Sequence, residues 1–340
     1  MIYSLLKPLL FKLDAERAHG LAMDSLQAMH CSGLSRQLAG DIPSMPVRIM
    51  GLDFPNPLGL AAGLDKHAQY IDALADLGFG FLEIGGVTPR PQPGNPKPRL
   101  FRIPEAEAII NRFGFNSVGV DAFVTNRRRA RWPGIIGVNL GKNADTPNER
   151  AVEDYLASME RIYNVAHFAT INVSSPNTKN LRALQSADEL DPLLARMHQR
   201  REELAQQHGK RLALAIKISV DLNPTELQAV AVVAQQRGMD AIIAANTTTT
   251  RDGVQGLPHS EESGGMSGAP VREKSTAMIA SLSRMLDGAL PIIGVGGIMS
   301  AAHAREKLQA GASLVQLYSG MVFHGPQLIG DILRGLARQR

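Results

Sequence analysis

The segment from Ile171 to Thr178 carries the residues with the clearest capacity for chemistry. It starts as the end of an apolar strand and continues as a dense set of hydroxyl and amide groups around Pro176. In a barrel of parallel strands, the carboxyl ends of the strands face the site where chemistry is done. Ser175 would then face a buried, polar, planar ligand. The alternative is an ordinary surface turn, because Ser, Pro and Asn are common in turns.

Ser175 lacks the Gly-x-Ser-x-Gly setting of a serine hydrolase, which argues against acyl transfer. A serine can still act as a general base if a neighbouring hydroxyl takes its proton onward, and Thr178 is placed to do so. The nine histidines form no metal-binding motif. The single cysteine, Cys31, excludes a disulfide or a cysteine-based metal site within the chain and indicates a reducing compartment. We therefore expect no metal.

Two lysines stand in unusual settings. Lys217 lies near the end of an otherwise apolar strand, and a buried ammonium group is costly unless an anion or an acceptor meets it. The reduced ring of a flavin would supply that anion. Lys66 follows Gly59–Asp65, whose small residues would let a flat ring lie against the backbone. For Lys66 the alternative is a surface ion pair with Asp65.

Amides and glycines recur where strands are predicted to end. The amides offer donors and acceptors together, which suits a ligand with alternating C=O and N–H groups such as a pyrimidine. The glycines would let backbone N–H groups approach a phosphate, although they could also serve only tight turns. The amides are Asn111, Asn139, Asn172, Asn177 and Asn246, and the glycines lie in 265–268, 294–297, 311 and 320.

Strand-like and helix-like segments alternate eight times from residue 57 onward. Eight βα units in a row predict an α/β fold, a (β/α)8 TIM barrel, with an open doubly wound sheet as the alternative. The predicted strands are Pro57–Ala61, Gly80–Ile84, Ile135–Asn139, Phe168–Val173, Leu212–Ile218, Ala241–Ala245, Pro291–Val295 and Ser313–Tyr318. The predicted helices are His67–Leu77, Val118–Arg129, Glu149–Tyr163, Ala187–Gln207, Pro224–Gln236, Thr276–Asp287, Ala301–Gln309 and Met321–Arg338.

Two insertions leave from the predicted carboxyl ends of strands, where loops carry function. Residues 88–116 contain a predicted hairpin of Leu100–Ile103 and Ala108–Asn111. Residues 246–272 are rich in Gly, Ser and Thr. A shorter hairpin of Val47–Ile49 and Leu52–Phe54 leads into the barrel, and we assign residues 41–340 to the barrel domain.

Residues 1–40 are predicted to form a small two-helix domain. Leu5, Leu6, Leu9, Leu10 and Leu13 make an apolar stripe at helical spacing, and a second helix follows over residues 15–29. Amphipathicity alone favours a pair packed on the barrel bottom, and the alternative is an anchor lying on a membrane surface. The chain has no run of 18 apolar residues and no signal-peptide pattern at its start.

Composition excludes some classes of protein. With 44% hydrophobic and 20% charged residues, the 340-residue chain is not of the disordered type. Its net charge of +4 suits anionic small ligands or an anionic lipid surface. Since no basic and aromatic recognition motif accompanies that charge, we expect no nucleic-acid partner.

These motifs together resemble the class 2, quinone-dependent dihydroorotate dehydrogenases over essentially the whole chain. The serine at the position of Ser175 favours class 2, because soluble class 1 members have a cysteine there. The segments that carry the resemblance are Ala61–Lys66, Glu83–Asn95, Asn111–Asn116, the Ser175 loop and Ile292–Ile298.

The resemblance implies an FMN enzyme of pyrimidine synthesis that oxidises dihydroorotate to orotate and passes electrons to a membrane quinone. Ser175 would be the base that deprotonates carbon 5. The implied FMN contacts are Ala61, Ala62, Gly63, Leu64, Asp65, Lys66, Gly86, Asn139, Asn172, Lys217, Ala245, Gly268, Gly297, Tyr318 and Ser319. The implied substrate contacts are Lys66, Asn111, Arg112, Phe113, Gly114, Phe115, Asn172, Asn177, Asn246 and Thr247.

Gly86 and Ala245 stand where family members often have threonine, so the resemblance implies only backbone contacts to FMN there. It also favours the membrane role for residues 1–40, and it implies a monomer bound peripherally to the cytoplasmic side of the cytoplasmic membrane. Two other functions remain open on the residues alone. One is 2-hydroxy-acid oxidation by a flavin barrel, which would need a histidine base and an arginine clamp. The other is a barrel that only binds a phosphorylated ligand or a membrane partner.

Overall fold

Eight apolar segments form parallel strands that close into a barrel in the computed structural model, which describes residues 2–38 and 40–338. The strands are buried along their length, because side chains fill the interior and helices cover the outside. All strands of the structure are numbered along the chain. The order of the strands around the barrel is β3 (Leu58–Leu60), β4 (Phe81–Val87), β7 (Ile135–Leu140), β8 (Phe168–Asn172), β9 (Ala213–Ile218), β10 (Ala241–Ala244), β12 (Ile292–Val295) and β13 (Leu314–Leu317). The barrel closes where β13 pairs with β3.

The remaining described strands form two small sheets outside the barrel. The predicted hairpins are both confirmed, as β1 (Val47–Ile49) with β2 (Leu52–Phe54) and as β5 (Leu100–Ile103) with β6 (Ala108–Asn111). A further strand that the sequence did not predict, β11 (Gly265–Gly268), pairs antiparallel with β6. It joins the two insertions into one sheet of β5, β6 and β11, which we call the insertion sheet.

Helices alternate with the barrel strands and cover them, and two further helices precede the first barrel strand. They are α1 (Ile2–Leu10), α2 (Ala15–Cys31), α3 (Ile71–Ala75), α4 (Val120–Arg129), α5 (Ala151–Ile162), α6 (Ala187–His208), α7 (Pro224–Gln236), α8 (Arg272–Leu286), α9 (Ala301–Gln309), α10 (Ser319–His324) and α11 (Gln327–Ala337).

The predicted (β/α)8 barrel is confirmed, and each predicted barrel strand agrees with an observed one within three residues at either end. Three predicted helices differ from the structure. The helix expected over Thr276–Asp287 begins four residues earlier, at Arg272, as α8. The helix expected over His67–Leu77 is only α3, because the Asp65 carboxylate accepts three backbone N–H groups from residues 67–70 and holds them in a turn. The helix expected over Met321–Arg338 breaks at Gly325, where φ is +80°, and at the proline after it.

The β1–β2 hairpin closes the bottom of the barrel, at the amino ends of the strands. Phe54 of the hairpin packs edge to face on Phe81, with ring centroids 5.2 Å apart, and Phe81 meets Phe168 at 6.2 Å. Gly59 makes room for this cluster, because a Cβ there would lie 2.2 Å from the Phe81 ring. The expectation that the N-terminal helices cover the barrel bottom is therefore wrong.

Instead, α1 packs against α10, and α2 packs against α3 and the β5 strand of the insertion sheet. Glu16 on α2 accepts two hydrogen bonds from the buried Arg99, at 2.8 and 3.1 Å. Arg102 on β5 donates to the backbone carbonyls of Leu10 and Leu13 at the end of α1. The division of the chain into domains between residues 40 and 41 stays a prediction. Residues 1 and 39 of the first predicted domain, and residues 339 and 340 of the second, lie outside the described residues.

The outer face of the two helices is apolar and open to solvent. Leu5 is 76% exposed and Leu9 is 63% exposed, and Leu6, Leu13 and Leu21 are also exposed. Within residues 2–38 and 40–338, no helix combines the length and apolar character needed to cross a bilayer.

Replacing Glu16 by glutamine should loosen the contact between α2 and the insertion sheet. Burial raises the pKa of Glu16, but the bonds and charges of Arg99 and Lys97 outweigh burial and lower it. We expect a loss of about 1–2 kcal/mol in the free energy of unfolding at neutral pH, the lower range for hydrogen bonds to charged groups because Glu16 keeps some contact with solvent. Because the pKa is lowered in the folded state, this contribution is present above the usual glutamate pKa of about 4.3 and is lost as the pH falls through the lowered value.

Urea unfolding of the wild type and the variant across this pH range is the measurement. Glu153→Gln is the matched control, since it breaks an exposed pair with Arg150 and should leave the unfolding midpoint unchanged. Equal stability of the Glu16→Gln variant and the wild type at pH 7 would contradict the proposed role of the pair.

Candidate active site

A cavity opens at the carboxyl ends of the barrel strands, where the two insertions rise around it. Its empty space is about 1080 Å³, the open solvent at its mouth included. The structure brings these sequence-predicted residues to its lining: Ala61, Ala62, Gly63, Lys66, Gly86, Asn111, Phe113, Gly114, Phe115, Asn139, Asn172, Ser175, Asn177, Lys217, Ala245, Asn246, Thr247, Gly268, Gly297, Tyr318 and Ser319.

Three other predicted site residues lie away from the lining. Leu64 is part of the buried apolar core. Asp65 is buried and holds the turn before α3, as described above. The guanidinium of Arg112 pairs with Glu262 at 2.6 Å. Their roles in ligand contact stay predictions.

The floor of the cavity is a chain of side-chain amides that ends on one buried carboxylate. Glu83 accepts a hydrogen bond from Asn139 at 2.7 Å, and Asn139 in turn accepts one from Asn172 at 2.9 Å. Asn246 donates to Ser174 Oγ at 3.0 Å, and Ser174 donates to Asn172 Oδ1 at 2.9 Å. Because each amide orients the next, the floor presents fixed donors and acceptors to a planar ligand.

Glu83 is also the charge partner of Lys217. Both side chains are almost fully buried, and Lys217 Nζ lies 3.9 Å from Glu83 Oε2, which also accepts a hydrogen bond from Gln316 at 2.6 Å. The sequence predicted a buried lysine that needs an anion, and the protein itself supplies one. The separation is longer than a hydrogen bond, so the ammonium group retains donors for a ligand in the cavity.

Ser175 lies in the loop after β8, residues 173–180, which we call the β8 loop. Its Oγ accepts a hydrogen bond from the backbone N–H of Asn177 at 3.3 Å, and the residue lines the cavity. Further along the loop, Thr178 is buried, and its hydroxyl has no partner within the described part of the chain. Asn177 donates to Asn111 Oδ1 at 3.1 Å, which ties the β8 loop to the insertion sheet.

Lys66 stands at the other wall of the cavity. Its Nζ donates to Asn116 at 2.8 Å and lies 3.1 Å from the centroid of the Phe113 ring. The surface ion pair with Asp65 is not formed, because that carboxylate turns toward the backbone before α3. Burial, and after it the nearby charge of Arg99, lowers the pKa of Lys66 well below its usual value. An anion bound at this wall would stabilise the charged form of the lysine.

Glycines give one end of the cavity the open backbone that a phosphate requires. Gly268 has a φ of +107°, and a Cβ on Gly297 would lie 2.7 Å from the backbone nitrogen of Arg272 at the start of α8. The hydroxyls of Ser267 and Ser319 lie 2.9 Å apart at the same end. Backbone N–H groups and hydroxyls of this kind bind phosphate.

A local contact explains why position 86 carries a glycine and not a threonine. A Cβ at Gly86 would lie 2.6 Å from the ring of Phe115 and 3.2 Å from Asn139 Oδ1. Phe115 therefore fills the space where a threonine side chain would stand. Ala245 lines the cavity from the end of β10, so its backbone remains available for a contact there.

Four residues of this region escaped the sequence interpretation: Glu83, Gln316, Arg182 and Asp221. The sequence did contain a signal for Glu83, since a carboxylate inside the apolar segment 80–84 is as unusual as a lysine in β9. For Arg182 and Asp221 the sequence carried no signal, because two of the three partners of Arg182 lie 39 and 65 residues away along the chain.

Comparison with known proteins decides the family. A family model described as dihydroorotate dehydrogenase matches residues 44–339. The chain belongs to this family. A relative from Thiobacillus denitrificans, named dihydroorotate dehydrogenase (quinone), is 55% identical over 99% of this chain and 100% of its own. One of the same name from Azotobacter vinelandii is 56% identical over 100% of this chain and 98% of its own.

Solved structures agree with the sequence relatives. A crystal structure of DHODH from Eimeria tenella in complex with ferulenol is similar to this chain with a TM-score of 0.88 and 36% identity, over 95% of this chain and 91% of its own. The resemblance inferred from the motifs is therefore confirmed.

Replacing Glu83 by glutamine should destabilise the floor of the cavity. Glutamine has one acceptor oxygen where the carboxylate serves Asn139 and Gln316 with two, and Lys217 loses its counter-charge. We expect a loss of about 3–5 kcal/mol in the free energy of unfolding, the scale of a broken buried ion pair.

Adding Lys217→Met should recover part of that loss, because the unpaired ammonium group is then gone. Urea unfolding of both single variants and the double variant measures this coupling. If the two single losses simply add in the double variant, Glu83 and Lys217 do not act as a pair.

Proposed function

We propose that FMN is the flavin of this enzyme and that Ser175 is the base of its reaction. The enzyme oxidises dihydroorotate to orotate in pyrimidine biosynthesis, with a quinone as the final electron acceptor, and its family is flavin-dependent. The observation that carries the proposal is the shared cavity, which is lined by Ser175, Lys217 and the glycines at 268 and 297.

The lining fits a flavin with a phosphate. The floor of amides matches the donors and acceptors of an isoalloxazine ring, and the glycine end has room and N–H groups for a phosphate. Gly63 lines this wall without a side chain, so a flat ring can lie close to the backbone there. When bound, the flavin supplies the acceptor for the hydride from carbon 6 of dihydroorotate and the route of electrons to the quinone. Lys217 would stabilise negative charge on the flavin.

The chain's own residues would hold the substrate and move its proton. Ser175 would remove the proton from carbon 5, and the buried hydroxyl of Thr178 would take the proton onward. The Thr178 hydroxyl has no partner among residues 2–38 and 40–338, which supports this relay because its donor and its acceptor are both available. The residues that would contact the pyrimidine and its carboxylate are Asn111, Asn172, Asn177, Asn246, Thr247 and Lys66.

The 2-hydroxy-acid oxidase alternative finds no support in the cavity. It would need a histidine base and an arginine clamp, and among the described residues that line the cavity there is neither a histidine nor an arginine.

The exposed leucines support a peripheral membrane role for α1 and α2. We propose, from the family resemblance, that this membrane is the cytoplasmic membrane and that the enzyme lies on its cytoplasmic face. An exposed apolar helix face of this kind is typical of helices that lie in the lipid headgroup region. There, the helices would bring the enzyme to a quinone dissolved in the bilayer. We also propose that the enzyme is a monomer.

Ser175→Ala should keep flavin and orotate bound but slow flavin reduction by dihydroorotate at least about 100-fold, the scale of a lost general base. Anaerobic stopped-flow absorbance measures the rate constant, and flavin content with orotate titration checks that the site is intact. A rate constant equal to that of the wild type would rule out Ser175 as the base.

Replacing Leu5, Leu6 and Leu9 together by glutamine should abolish turnover with a long-tail quinone in vesicles while flavin reduction by dihydroorotate is retained. Substitution is a more specific test than deletion of residues 1–40, because deletion would also remove Glu16, the partner of Arg99. Each leucine withdrawn from lipid should weaken vesicle binding about tenfold.

Val232→Gln is the matched control for the leucine variant, because it replaces an exposed apolar residue on α7. It should bind vesicles and turn over quinone like the wild type. Unchanged sedimentation of the triple leucine variant with vesicles would refute the membrane role.

A further inference from the structure

We propose that Arg182 is a positioning residue that fixes the β8 loop, and therefore Ser175, against the loop after β10, and that Asp221 holds Arg182 in place. This inference rests on the proposed role of Ser175 as the base. Neither Arg182 nor Asp221 lines the cavity, so both would act through the residues they hold.

Arg182 uses its three guanidinium nitrogens on three different loops. It lies in a short 3-10 helix, Leu181–Gln185, that follows the β8 loop. Its Nε donates to the backbone carbonyl of Ser174 at 3.1 Å, one residue before Ser175. Its Nη2 donates to the backbone carbonyl of Thr247 at 2.8 Å, in the loop after β10. The planar guanidinium thus joins the two loops with fixed geometry.

The third nitrogen, Nη1, donates to Asp221 at 2.8 Å. Asp221 follows β9, and its carboxylate also accepts hydrogen bonds from the hydroxyl and backbone N–H of Thr249, from the hydroxyl of Thr248, and from Lys274 on α8. Burial raises the pKa of Asp221, but these bonds outweigh burial and lower it strongly, so the carboxylate stays ionised at neutral pH. Three successive loops and α8 therefore meet at one carboxylate.

The β8 loop needs such support because Ser175 has little of its own. The described hydrogen bonds of its Oγ consist of one from Asn177 within the same loop, at 3.3 Å. Beyond it, Lys179 and Asn180 are exposed. The position of the Ser175 hydroxyl is then set by the backbone on either side, and Arg182 binds the carbonyl immediately before it. A displacement of about 1 Å in a reacting group can cost on the order of 100-fold in rate.

Lys274 provides a matched control. It donates to the same carboxylate at 2.7 Å, and it has no described contact to Ser174 or Thr247. Lys274→Met and Arg182→Met each remove one cation from Asp221. Only the second also releases the two carbonyls.

The experiment compares holoenzymes of Arg182→Met, Arg182→Lys and Lys274→Met with the wild type. In anaerobic stopped flow at saturating dihydroorotate, Arg182→Met should reduce its flavin about 10- to 100-fold more slowly. Arg182→Lys should also be slow, because an ammonium group cannot reach both carbonyls and the carboxylate together. Lys274→Met should stay within about twofold of the wild type, since the two carbonyl contacts that set the rate remain. The proposal is overturned if Lys274→Met is as slow as Arg182→Met, or if either Arg182 variant reacts like the wild type.

Hydrogen exchange gives a readout that does not depend on turnover. Amides of residues 174–181 should exchange faster in Arg182→Met than in Lys274→Met, and equal protection in the two variants would contradict the proposal. Ser175→Ala is measured alongside to separate the two hypotheses. A wild-type rate for Ser175→Ala removes the base assignment, whereas loss of the difference between the Arg182 and Lys274 variants removes the positioning role alone.

Discussion

The buried carboxylate of Glu83 is the interaction on which the site depends. It stands inside the barrel, where an isolated charge would be too costly, and it is tolerated because Lys217 and two amide donors surround it. Glu83 orients Asn139, and Asn139 orients Asn172 through a second hydrogen bond. The side-chain oxygen of Asn172 accepts a hydrogen bond from Ser174, the residue directly before Ser175. One buried charge therefore orders a chain of neutral amides that would otherwise be free to flip.

A serine proposed to act as a base without a histidine needs its surroundings to be fixed from several sides. The amide chain holds the β8 loop from the cavity floor, Asn111 holds it from the insertion sheet through Asn177, and Arg182 holds it through the carbonyl of Ser174. The barrel supplies these contacts because β8, β9 and β10 are neighbours, so the loops at their carboxyl ends meet. The order of the strands thus brings the supports of Ser175 together.

Much of this arrangement could be predicted from the sequence. Alternating apolar strands and amphipathic helices predicted the barrel, and Lys217 stood out because a charge in an apolar strand needs a partner. The strand β11 could not be predicted, since two of its four residues are glycines and its partner β6 lies more than 150 residues earlier. The pair of Arg182 and Asp221 was equally hidden, because its geometry exists only once separate loops come together.

The contact of Arg99 with α2 has a consequence for a chain without the N-terminal helices. Arg99 donates to Glu16 with one side of its guanidinium and to the carbonyl of Asn95 with the other, and the side chain of Asn95 donates to the carbonyl of Asn177. The helices with the exposed leucines thus share a support with the loop that carries Ser175. A chain without those helices would lose Glu16 as the partner of Arg99, so removing them would also disturb the side of the barrel that holds Ser175.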